Sequence, residues 1–461
     1  MLSSSVCQSV LARALAMGGS FAELFFEDTK SFGLSLRDSI IENAAVSRPR
    51  GAGIRIYDGL RSIYVYTCDV SEEGLKRAAD RAAAAVSDTR GTGRDVVLHE
   101  RTFTDIHPVK YPTLSIPAKQ RADILRAADA AARSVDSRIT QVTCGLLSRE
   151  QHVIIANSDG LYTGDTRTYT RLTCSAIASD GTENQTGTEG PGALMGFELF
   201  ENRVDPAQTG RKAAKTAVTM LDAPYVNAGE MPVVIAGGFG GVIFHEACGH
   251  SLEATSVEPG MSEFAGKLGE KIAAPCVTAI DDGTIVNSWG AIHVDDEGTP
   301  AQRTVLVENG VLTNYLIDRL GSRRMYMPIT GSSRRQSYAF APTSRMRSTF
   351  IAPGQDDEAE MIATMGDGLY AKKMGGGSVN PATGEFNFAV LEGYLVKDGK
   401  IAHPVRGASL IGRGSEVLLK IDRVGKDMQM AAGMCGSKSG SIPTNVGQPM
   451  IRISSMTVGG R

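Results

Sequence analysis

Residues 244–250 read Phe-His-Glu-Ala-Cys-Gly-His, and the rest of the chain is organised around this stretch. It holds two of the chain's seven histidines, His245 and His250, and Glu246 directly follows the first of them. Neutral imidazole is a common ligand of zinc, and a carboxylate beside a metal-bound water can take its proton to make a nucleophile. The stretch therefore predicts a metal site held by the two histidines, with Glu246 as candidate general base.

The two histidines are five residues apart, whereas the familiar His-Glu-x-x-His signature spaces them by four. An unbroken α-helix turns about 100° per residue and would point two such side chains about 140° apart. A single π-type turn instead brings residues i and i+5 to one face, and such turns concentrate at functional sites. Glycine has no Cβ and tolerates unusual backbone angles, so Gly249 is the least costly place for the distortion. We therefore predict a distorted turn at Cys248-Gly249; the alternative is two unrelated histidines on an amphipathic helix.

A catalytic zinc normally has three protein ligands and a water, so a third ligand is needed. Cys248 can share the face of His245 but lies inside the distorted turn, and Glu253 follows as a helix carboxylate. Cys435 stands between glycines in a predicted flexible loop with no evident packing role. This position favours Cys435 only weakly as the third ligand. Five candidates stay open: Cys248, Glu253, His293, His403 and Cys435.

Bulk composition excludes several classes of protein. The 461 residues are enough for two or three domains, and 48 basic against 51 acidic residues give a net charge of −3, without the basic excess of a nucleic-acid binder. No run of about 18 apolar residues predicts a membrane helix, and no basic leader precedes an apolar run at the start. Seven scattered cysteines without a Cys-x-x-Cys pair favour a reducing cytoplasm. We expect a cytoplasmic protein that binds neither nucleic acid nor membrane.

The first half of the chain alternates helix-like and strand-like segments. Residues 34–37 and 53–57 are predicted to share a hairpin, and residues 69–72 read as a capping box that opens a helix. Ser115 is the predicted cap of another helix. The pattern predicts an α+β domain with a largely antiparallel sheet over residues 1–224. The predicted helices are 4–17, 72–86, 116–135 and 207–221, and the predicted strands are 22–27, 34–37, 53–57, 62–66, 140–149, 152–157 and 169–178.

The second half, residues 225–461, is predicted to be a β-rich catalytic domain with one metal-binding helix. Asn309-Gly310 and Asp398-Gly399 are two-residue hairpin signals between apolar runs, and residues 410–411 and 417–421 are predicted strands. The glycine-rich residues 237–241 lie between a strand and the histidine helix. They match neither the Gly-x-Gly-x-x-Gly nor the Walker pattern, so we expect them to allow close backbone packing rather than nucleotide binding.

Taken together, these segments resemble the TldD/PmbA family of zinc metallopeptidases over nearly the whole chain, and its catalytic TldD-type branch in particular. The His-Glu-x-x-x-His element with a distant Cys-Gly is specific to that branch, and the inactive PmbA/TldE-type relatives lack it. The residues that carry the resemblance are 51–55, 244–250, 295–300, 334–338, 434–436 and 457–460.

The resemblance implies zinc held by His245, His250 and Cys435, with Glu246 as general base. It also implies a homodimer, or a heterodimer with a related non-catalytic TldE/PmbA-type subunit. Unfolded peptides would enter a dimer cavity, pair through their backbone and be cut with little sequence preference, in modified-peptide maturation or small-protein turnover. Two departures from the family pattern are the thiol of Cys248 and the segment 437–441, where a glycine-glutamine run is usual.

The prediction is therefore a cytoplasmic zinc peptidase. Candidates for oxyanion binding or substrate positioning are His293, Arg334, Arg335 and Tyr338, whose alternative roles are structural or surface pairing. Two other functions stay open: a non-proteolytic metallohydrolase such as an amidase or deacylase, and a peptide-binding subunit with a structural metal. An exchangeable coordination position would distinguish an enzyme from such a binder.

Overall fold

The computed structural model describes residues 2–87, 95–380 and 382–461. It has the mixed α+β fold that the sequence predicts, and its first half is built around one large sheet. The elements of this half are α1 (Ser4–Ala14), β1 (Phe21–Arg37), β2 (Ile40–Ser47), β3 (Arg50–Asp58), β4 (Arg61–Thr67), α2 (Glu72–Ala83), β5 (His99–Glu100), a 3₁₀ turn (Thr113–Ser115), α3 (Ala118–Arg133), β6 (Ile139–Asn157), β7 (Leu161–Ser179), β8 (Asn184–Glu189), β9 (Gly192–Ala193), α4 (Leu199–Asn202) and α5 (Pro206–Leu221).

In the described part of the chain, the large sheet has nine strands in the order β4-β3-β1-β6-β7-β5, with β2 beside β1 and with β8 and β9 beside β7. All of its pairs are antiparallel except the short β5–β7 pair, as the sequence predicts. The predicted hairpin between residues 34–37 and 53–57 is wrong. Residues 34–37 continue β1 and pair with β2 and β6, whereas β3 pairs with the beginning of β1. Short patterns could not show that β1, β6 and β7 run on for 17 to 19 residues.

Helices cover one face of this sheet, and the second half of the chain covers the other. Ala22, Leu24 and Phe26 of β1 pack with α1 and α2, and Leu34 and Leu36 further along β1 pack with α3 and α5. The intervening residues point the opposite way because side chains alternate along a strand. Phe25 accordingly packs against Val294 of the second half.

Two helix caps differ from the prediction. Ser71 rather than Asp69 caps α2, because its side chain accepts a hydrogen bond from the backbone of Gly74. Ser115 lies in the 3₁₀ turn before α3, and Pro117 takes the cap position without a side-chain bond. The predicted helix over 207–221 is confirmed, with its start at Pro206.

The second half of the chain is rich in short strands. Its elements are β10 (Gly229–Ile235), a 3₁₀ turn (Gly238–Gly241), α6 (Val242–Phe244), a π-helical turn (His245–Gly249), a 3₁₀ turn (His250–Leu252), α7 (Ala254–Val257), β11 (Ala279–Asp282), β12 (Arg303–Glu308), β13 (Val311–Leu312), α8 (Arg319–Met325), β14 (Ser333–Arg334), β15 (Thr343–Ser344), β16 (Ser348–Ile351), α9 (Glu358–Ala363), β17 (Gly368–Asn380), β18 (Glu385–Lys397), β19 (Lys400–Val405), β20 (Ser409–Arg413), α10 (Gly414–Lys420), β21 (Ile421–Val424), β22 (Gln429–Ser437), β23 (Gly440–Gln448) and β24 (Ile451–Gly459).

Two sheets of this half frame the histidine stretch. Strands β10, β17, β18, β20 and β24 close on themselves, because β10 pairs with both β17 and β24. A second sheet has the order β13-β12-β11-β16-β23-β22, which leaves β22 at its edge. The histidine stretch follows β10, and its apolar residues Phe244 and Ala247 belong to the main core of this half.

Both predicted two-residue hairpins are confirmed. Asn309 and Gly310 have φ of 50° and 86°, and Asp398 and Gly399 have φ of 50° and 71°, as tight hairpin turns require. The predicted strand at 417–421 is wrong up to residue 420, because Gly414–Lys420 form α10, and Ile421 begins β21. A short apolar run such as Val417-Leu418-Leu419 does not distinguish a strand from a buried helix.

The two halves meet through buried ion pairs. Arg55 contacts Glu23 on its own sheet and Glu297 in the second half, and Arg335 reaches back to Glu23. The division into domains 1–224 and 225–461 stays a prediction. Within the ranges given above, no helix is both long and apolar enough to cross a membrane.

Candidate metal centre

The predicted distortion lies where the sequence places it. One turn of α-helix ends at Phe244, residues 245–249 form a π-helical turn, and a 3₁₀ turn begins at His250. The backbone N–H of His250 donates to the carbonyl of His245, five residues earlier. The wider turn therefore brings both histidines to one face, as the five-residue spacing requires.

Close packing explains the glycines around this turn. A Cβ on Gly241 would lie 2.5 Å from the carbonyl oxygen of Gly447, and one on Gly240 would lie 2.7 Å from Nε2 of Gln448. The glycine-rich stretch thus packs its backbone against β23, as predicted. Gly249 has an ordinary helical φ of −57°, but a Cβ there would lie 2.2 Å from Sδ of Met346. Its role is to make room rather than to supply an unusual backbone angle.

Three side chains converge at this turn. Nε2 of His245 lies 3.3 Å, and Nε2 of His250 3.2 Å, from Sγ of Cys435 on the edge strand β22. The three donor atoms all lie within 4.8 Å of one another. In the described parts of the chain, no other set of three histidine, cysteine or carboxylate side chains is gathered in this way. Cys435 is 3% exposed and lies in a regular strand, so the prediction of a flexible loop at this residue is wrong.

The arrangement fits a metal ion. Two nitrogens and one sulfur are a donor set typical of zinc, and tetrahedral zinc with bonds of about 2.0 and 2.3 Å would hold N and S about 3.5 Å apart. The separations of 3.2 and 3.3 Å are close to that value. Nδ1 of His245 is buried and has no hydrogen-bond partner among the described residues, whereas Nε2 of the same ring contacts Cys435.

Electrostatics favour a thiolate between the two rings. Burial raises the pKa of Cys435, but the positive charge of His245 and hydrogen bonds from His245 and His250 outweigh it and lower the pKa to about 3. Burial lowers the pKa of His250, but the charge of Glu253 and the bond to Cys435 raise it well above its usual range. A thiolate is the form of cysteine that binds metal.

Glu246 is the partly exposed carboxylate of the centre. Its Oε2 lies 3.8 Å from Nε2 of His250, and its side chain is 31% exposed, compared with 12% for His250. The group is therefore beside the donor atoms and open to water, which is the position that a general base needs.

A buried carboxylate and a buried guanidinium support the donors from behind. Oε2 of Glu253 lies 3.2 Å from Nδ1 of His250, and Oε1 lies 3.8 Å from Nε of Arg345. Arg345 also donates to the carbonyl of Cys435 at 2.6 Å and to Oγ of Ser439 at 2.9 Å. Glu253 thus contacts a ligand candidate rather than joining the donor set.

The remaining candidates lie outside the cluster. Cys248 is buried within the π turn, and His403 is exposed on β19. His293 lies between two carboxylates of the first half, those of Asp105 and Asp165.

The residues proposed for oxyanion binding are also committed elsewhere. Arg334 donates to the carbonyl of Pro443, Arg335 bonds to Glu23, and the backbone of Tyr338 donates to Glu27. These bonds support the structural alternative for each of them.

Sequence reasoning missed Arg345 and Ser439. Ser439 falls in the segment 437–441 that departs from the family pattern, and that departure was a signal for it. Arg345 lies about 90 residues from both Glu253 and Cys435 along the chain, and no local pattern links such distant residues.

Two imidazoles and a thiol form a candidate metal site, and comparison with known proteins identifies the class of the chain, a metallopeptidase, and its family. The chain belongs to the PmbA/TldD family. Models of the PmbA/TldA metallopeptidase first, central and C-terminal domains match residues 22–86, 111–221 and 228–460.

Several similar proteins carry metalloprotease names. The Metalloprotease TldD homolog of Haemophilus influenzae is 34% identical over 95% of this chain and 93% of that protein. The homologue of the same name from Buchnera aphidicola subsp. Acyrthosiphon pisum is 33% identical over 95% of this chain and 92% of that protein. A Zinc metalloprotease TldD homolog of Saccharolobus solfataricus is 30% identical over 57% of this chain and 58% of that protein.

Solved structures share the fold. A Thermotoga maritima protein described as a candidate modulator of a DNA gyrase has a TM-score of 0.80 and 21% identity, over 99% of both chains. TldE from Thermococcus kodakarensis has a TM-score of 0.78 and 18% identity, over 99% of this chain and all of that one. At these identities the likeness concerns the fold alone.

Proposed function

We propose that this chain is a zinc-dependent peptidase that hydrolyses unfolded or extended peptides with little sequence preference in the cytoplasm. His245, His250 and Cys435 hold the zinc, and Glu246 is the general base. The observation that carries the proposal is the convergence of the three donor atoms, with Sγ of Cys435 3.3 and 3.2 Å from the two imidazole nitrogens.

Zinc is preferred because of the donor set and the supporting contacts. Thiolate and imidazole ligands in a compact group favour zinc over magnesium or calcium, which prefer oxygen. The relative from Saccharolobus solfataricus is named a zinc metalloprotease, which supports the same metal. When bound, zinc would supply a Lewis acid that polarises the scissile carbonyl and lowers the pKa of water.

Glu246 moves the proton. Its carboxylate accepts, at Oε2, a proton from the water that attacks the carbonyl carbon, and it then donates this proton to the departing amine nitrogen. Its partial exposure allows water and substrate to reach it. Glu253 and Arg345 are held by the core and keep His250 and the backbone of Cys435 in place meanwhile.

An extended peptide fits the surroundings of the centre. Strand β22 carries Cys435 and is the edge of its sheet. The carbonyls of Ala432 and Cys435 already accept from Arg171 and Arg345, so a peptide would pair with the other outer backbone groups of this strand. A cavity of about 730 Å³ adjoins it and is lined in part by Met430, Ala431 and Ala432 of β22. A peptide bound through main-chain hydrogen bonds is recognised by few of its side chains, which supports low sequence preference.

The partner in this proposal is a second chain of the same fold. It is either another copy or a related non-catalytic subunit of the TldE/PmbA type. The similarity of the fold to a solved TldE supports the second choice, since two chains of one fold can assemble with near-symmetric interfaces.

The test is to measure metal content and peptide cleavage together. We expect about one zinc per chain and cleavage of a denatured polypeptide, by this chain alone or after co-expression with a related subunit from its source. A metal-loaded chain that cleaves small acylated amines but no polypeptide would instead identify an amidase or deacylase. A chain that binds peptides without cleaving them, and whose metal resists a hydroxamate chelator, would identify a binding subunit.

A further inference from the structure

The cavity beside β22 lies between the two halves of the chain. Arg171 of β7 and Glu189 of β8 line it from the first half, and Lys373 of β17 and Ala432 of β22 line it from the second. Its volume of about 730 Å³ is large enough for several residues of an extended peptide.

The charges that line this cavity do not balance. Among the described residues, the charged side chains that line it are Arg171, Glu189, Arg203 and Lys373. Lys373 and Glu189 neutralise each other, with Nζ 2.6 Å from Oε1. Within the described residues, neither Arg171 nor Arg203 has a carboxylate at ion-pair distance, which leaves two positive charges for a ligand to meet.

Of Arg171 and Arg203, Arg171 is the one whose guanidinium is held in place by several contacts. Its Nε donates to the carbonyl of Gly190 and its Nη2 to the carbonyl of Ala432, each at 3.1 Å, while its guanidinium stacks on Trp289. Nη1 makes no hydrogen bond to the parts of the chain that the structure describes, and Arg171 lines the cavity. It is therefore open to the cavity. Burial lowers the pKa of Arg171, so a nearby anion would stabilise its charged form.

The position of Arg171 relative to the metal centre is set by β22. Arg171 bonds to Ala432, and Cys435 is three residues further along the same strand. Three residues of extended chain span about 10 Å. A peptide that lies along β22 would therefore place a group about three residues from the cleaved bond beside Arg171.

We infer that Arg171 binds a carboxylate of the substrate peptide, about three residues from the bond that is cleaved. The inference rests on the proposed peptidase function and adds a preference to it. A guanidinium fork is the donor best suited to a carboxylate, and here two carbonyls and an indole hold it in place before the ligand arrives. The carboxylate is either a free C-terminus or an Asp or Glu side chain.

Three peptides distinguish the two sources. The first ends in a free carboxylate, the second is its C-terminal amide, and the third is the amide with Asp at the last position. Binding of each is measured by fluorescence anisotropy to the zinc-loaded Glu246→Gln protein, with and without Arg171→Gln. Arg211→Gln, on the exposed side of α5, is the matched control.

We expect the free acid to bind about tenfold more tightly than the amide, because one charge-assisted hydrogen bond has roughly that effect. Arg171→Gln should remove this difference, whereas Arg211→Gln should keep it. If the Asp-containing amide regains the tight binding, the side chain is a sufficient source; if only the acid binds tightly, the C-terminus is the source. Should Arg171→Gln fail to fold, equal binding of acid and amide by the Arg171-containing protein would still overturn the inference.

Cleavage by the wild-type chain separates this inference from the proposed function. Equal cleavage and binding of all three peptides would overturn the carboxylate site and leave the peptidase standing. Arg171-dependent binding of the acid without any cleavage would keep the site and overturn the peptidase. Where cleavage occurs, mass spectrometry of the products should place the cut about three residues from the carboxylate.

Discussion

Oε2 of Glu253 lies 3.2 Å from Nδ1 of His250, on the side of the imidazole ring opposite the nitrogen that faces Cys435. Glu253 is 2% exposed, and the backbone N–H of Met346 also donates to it. A carboxylate in this position fixes which ring nitrogen carries the proton and which way the ring points. His250 is thus presented to a metal in one orientation.

The first prediction tests this contact. Glu253→Gln should weaken zinc binding by about 10- to 100-fold, the usual effect of losing such a partner, without removing a donor atom. Competition with a chromophoric chelator measures the affinity. Glu416→Gln, an exposed carboxylate on α10, is the control and should bind zinc as the wild type does. Unchanged affinity in Glu253→Gln would mean that the carboxylate does not position His250.

The second prediction concerns the general base. Glu246→Gln should keep its zinc yet lose peptide cleavage by about 10²- to 10⁴-fold, because the amide can fill the space but cannot accept the proton. Metal analysis and single-turnover cleavage on the same preparation measure both quantities. Cleavage at the wild-type rate would reject Glu246 as the base.

The third prediction separates the two thiols near the turn. Cys435→Ser should weaken zinc binding by more than about 100-fold, which exceeds the effect expected for a residue that only supports a ligand. Cys248→Ser should retain the metal, since Cys248 is buried outside the cluster. Cobalt substitution gives a second measurement, because thiolate-to-cobalt absorption should persist in Cys248→Ser and vanish in Cys435→Ser. The opposite pattern would make Cys248 the ligand.

The features predicted well from sequence depend on neighbours in the chain. The π turn follows from the five-residue spacing of two histidines, and the hairpins at Asn309-Gly310 and Asp398-Gly399 follow from residues that accept positive φ. Each signal lies within a few residues of the structure that it specifies.

The features that sequence missed depend on distant residues. The bond from Arg345 to the carbonyl of Cys435 joins residues 90 apart, and the ion pair of Arg55 with Glu297 joins residues 242 apart. An arginine in a polar stretch reads as a surface residue until its partner is known. The length of β1 was missed for a related reason. The first part of the strand packs against one pair of helices and the last part against another pair, so its apolar pattern is not continuous in sequence.

The fourth prediction concerns the room that Gly249 leaves for Met346. Gly249→Ala should destabilise the chain by about 1–3 kcal/mol, because the new Cβ would overlap the Met346 thioether in a closed core. Chemical unfolding measures the free energy. Gly33→Ala, where a Cβ meets nothing within 4 Å, should change it little and serves as control. In a double-mutant cycle, Met346→Ala should cost less free energy when Gly249→Ala is already present. Additive effects would contradict the overlap.

The fifth prediction is a pH dependence of stability that arises at His293. Nδ1 of this ring lies 2.8 Å from Asp165 and Nε2 lies 2.8 Å from Asp105, so the imidazolium ties the second half of the chain to the first. Burial lowers the pKa of His293, but hydrogen bonds and charges of Asp165 and Asp105 outweigh it, and the pKa is raised above the ordinary 6.5. The neighbouring His107 does not compete for the proton, because burial and the charge of His293 lower its pKa to about 4.

A raised pKa in the folded state means that the folded chain binds the proton more tightly than the unfolded chain does. The stabilisation by His293 should therefore be complete below pH 6.5, the ordinary pKa of histidine, and should be lost as the pH rises through the raised pKa. The free energy of unfolding should differ most between wild type and His293→Gln at acidic pH, and the difference should shrink as the solution becomes alkaline. Denaturant unfolding from pH about 5 to about 8 measures it, since histidine titrates in this range. The exposed His403→Gln is the control and should follow the wild type at every pH. A difference that stays constant with pH would show that the ring acts through packing and not through its charge.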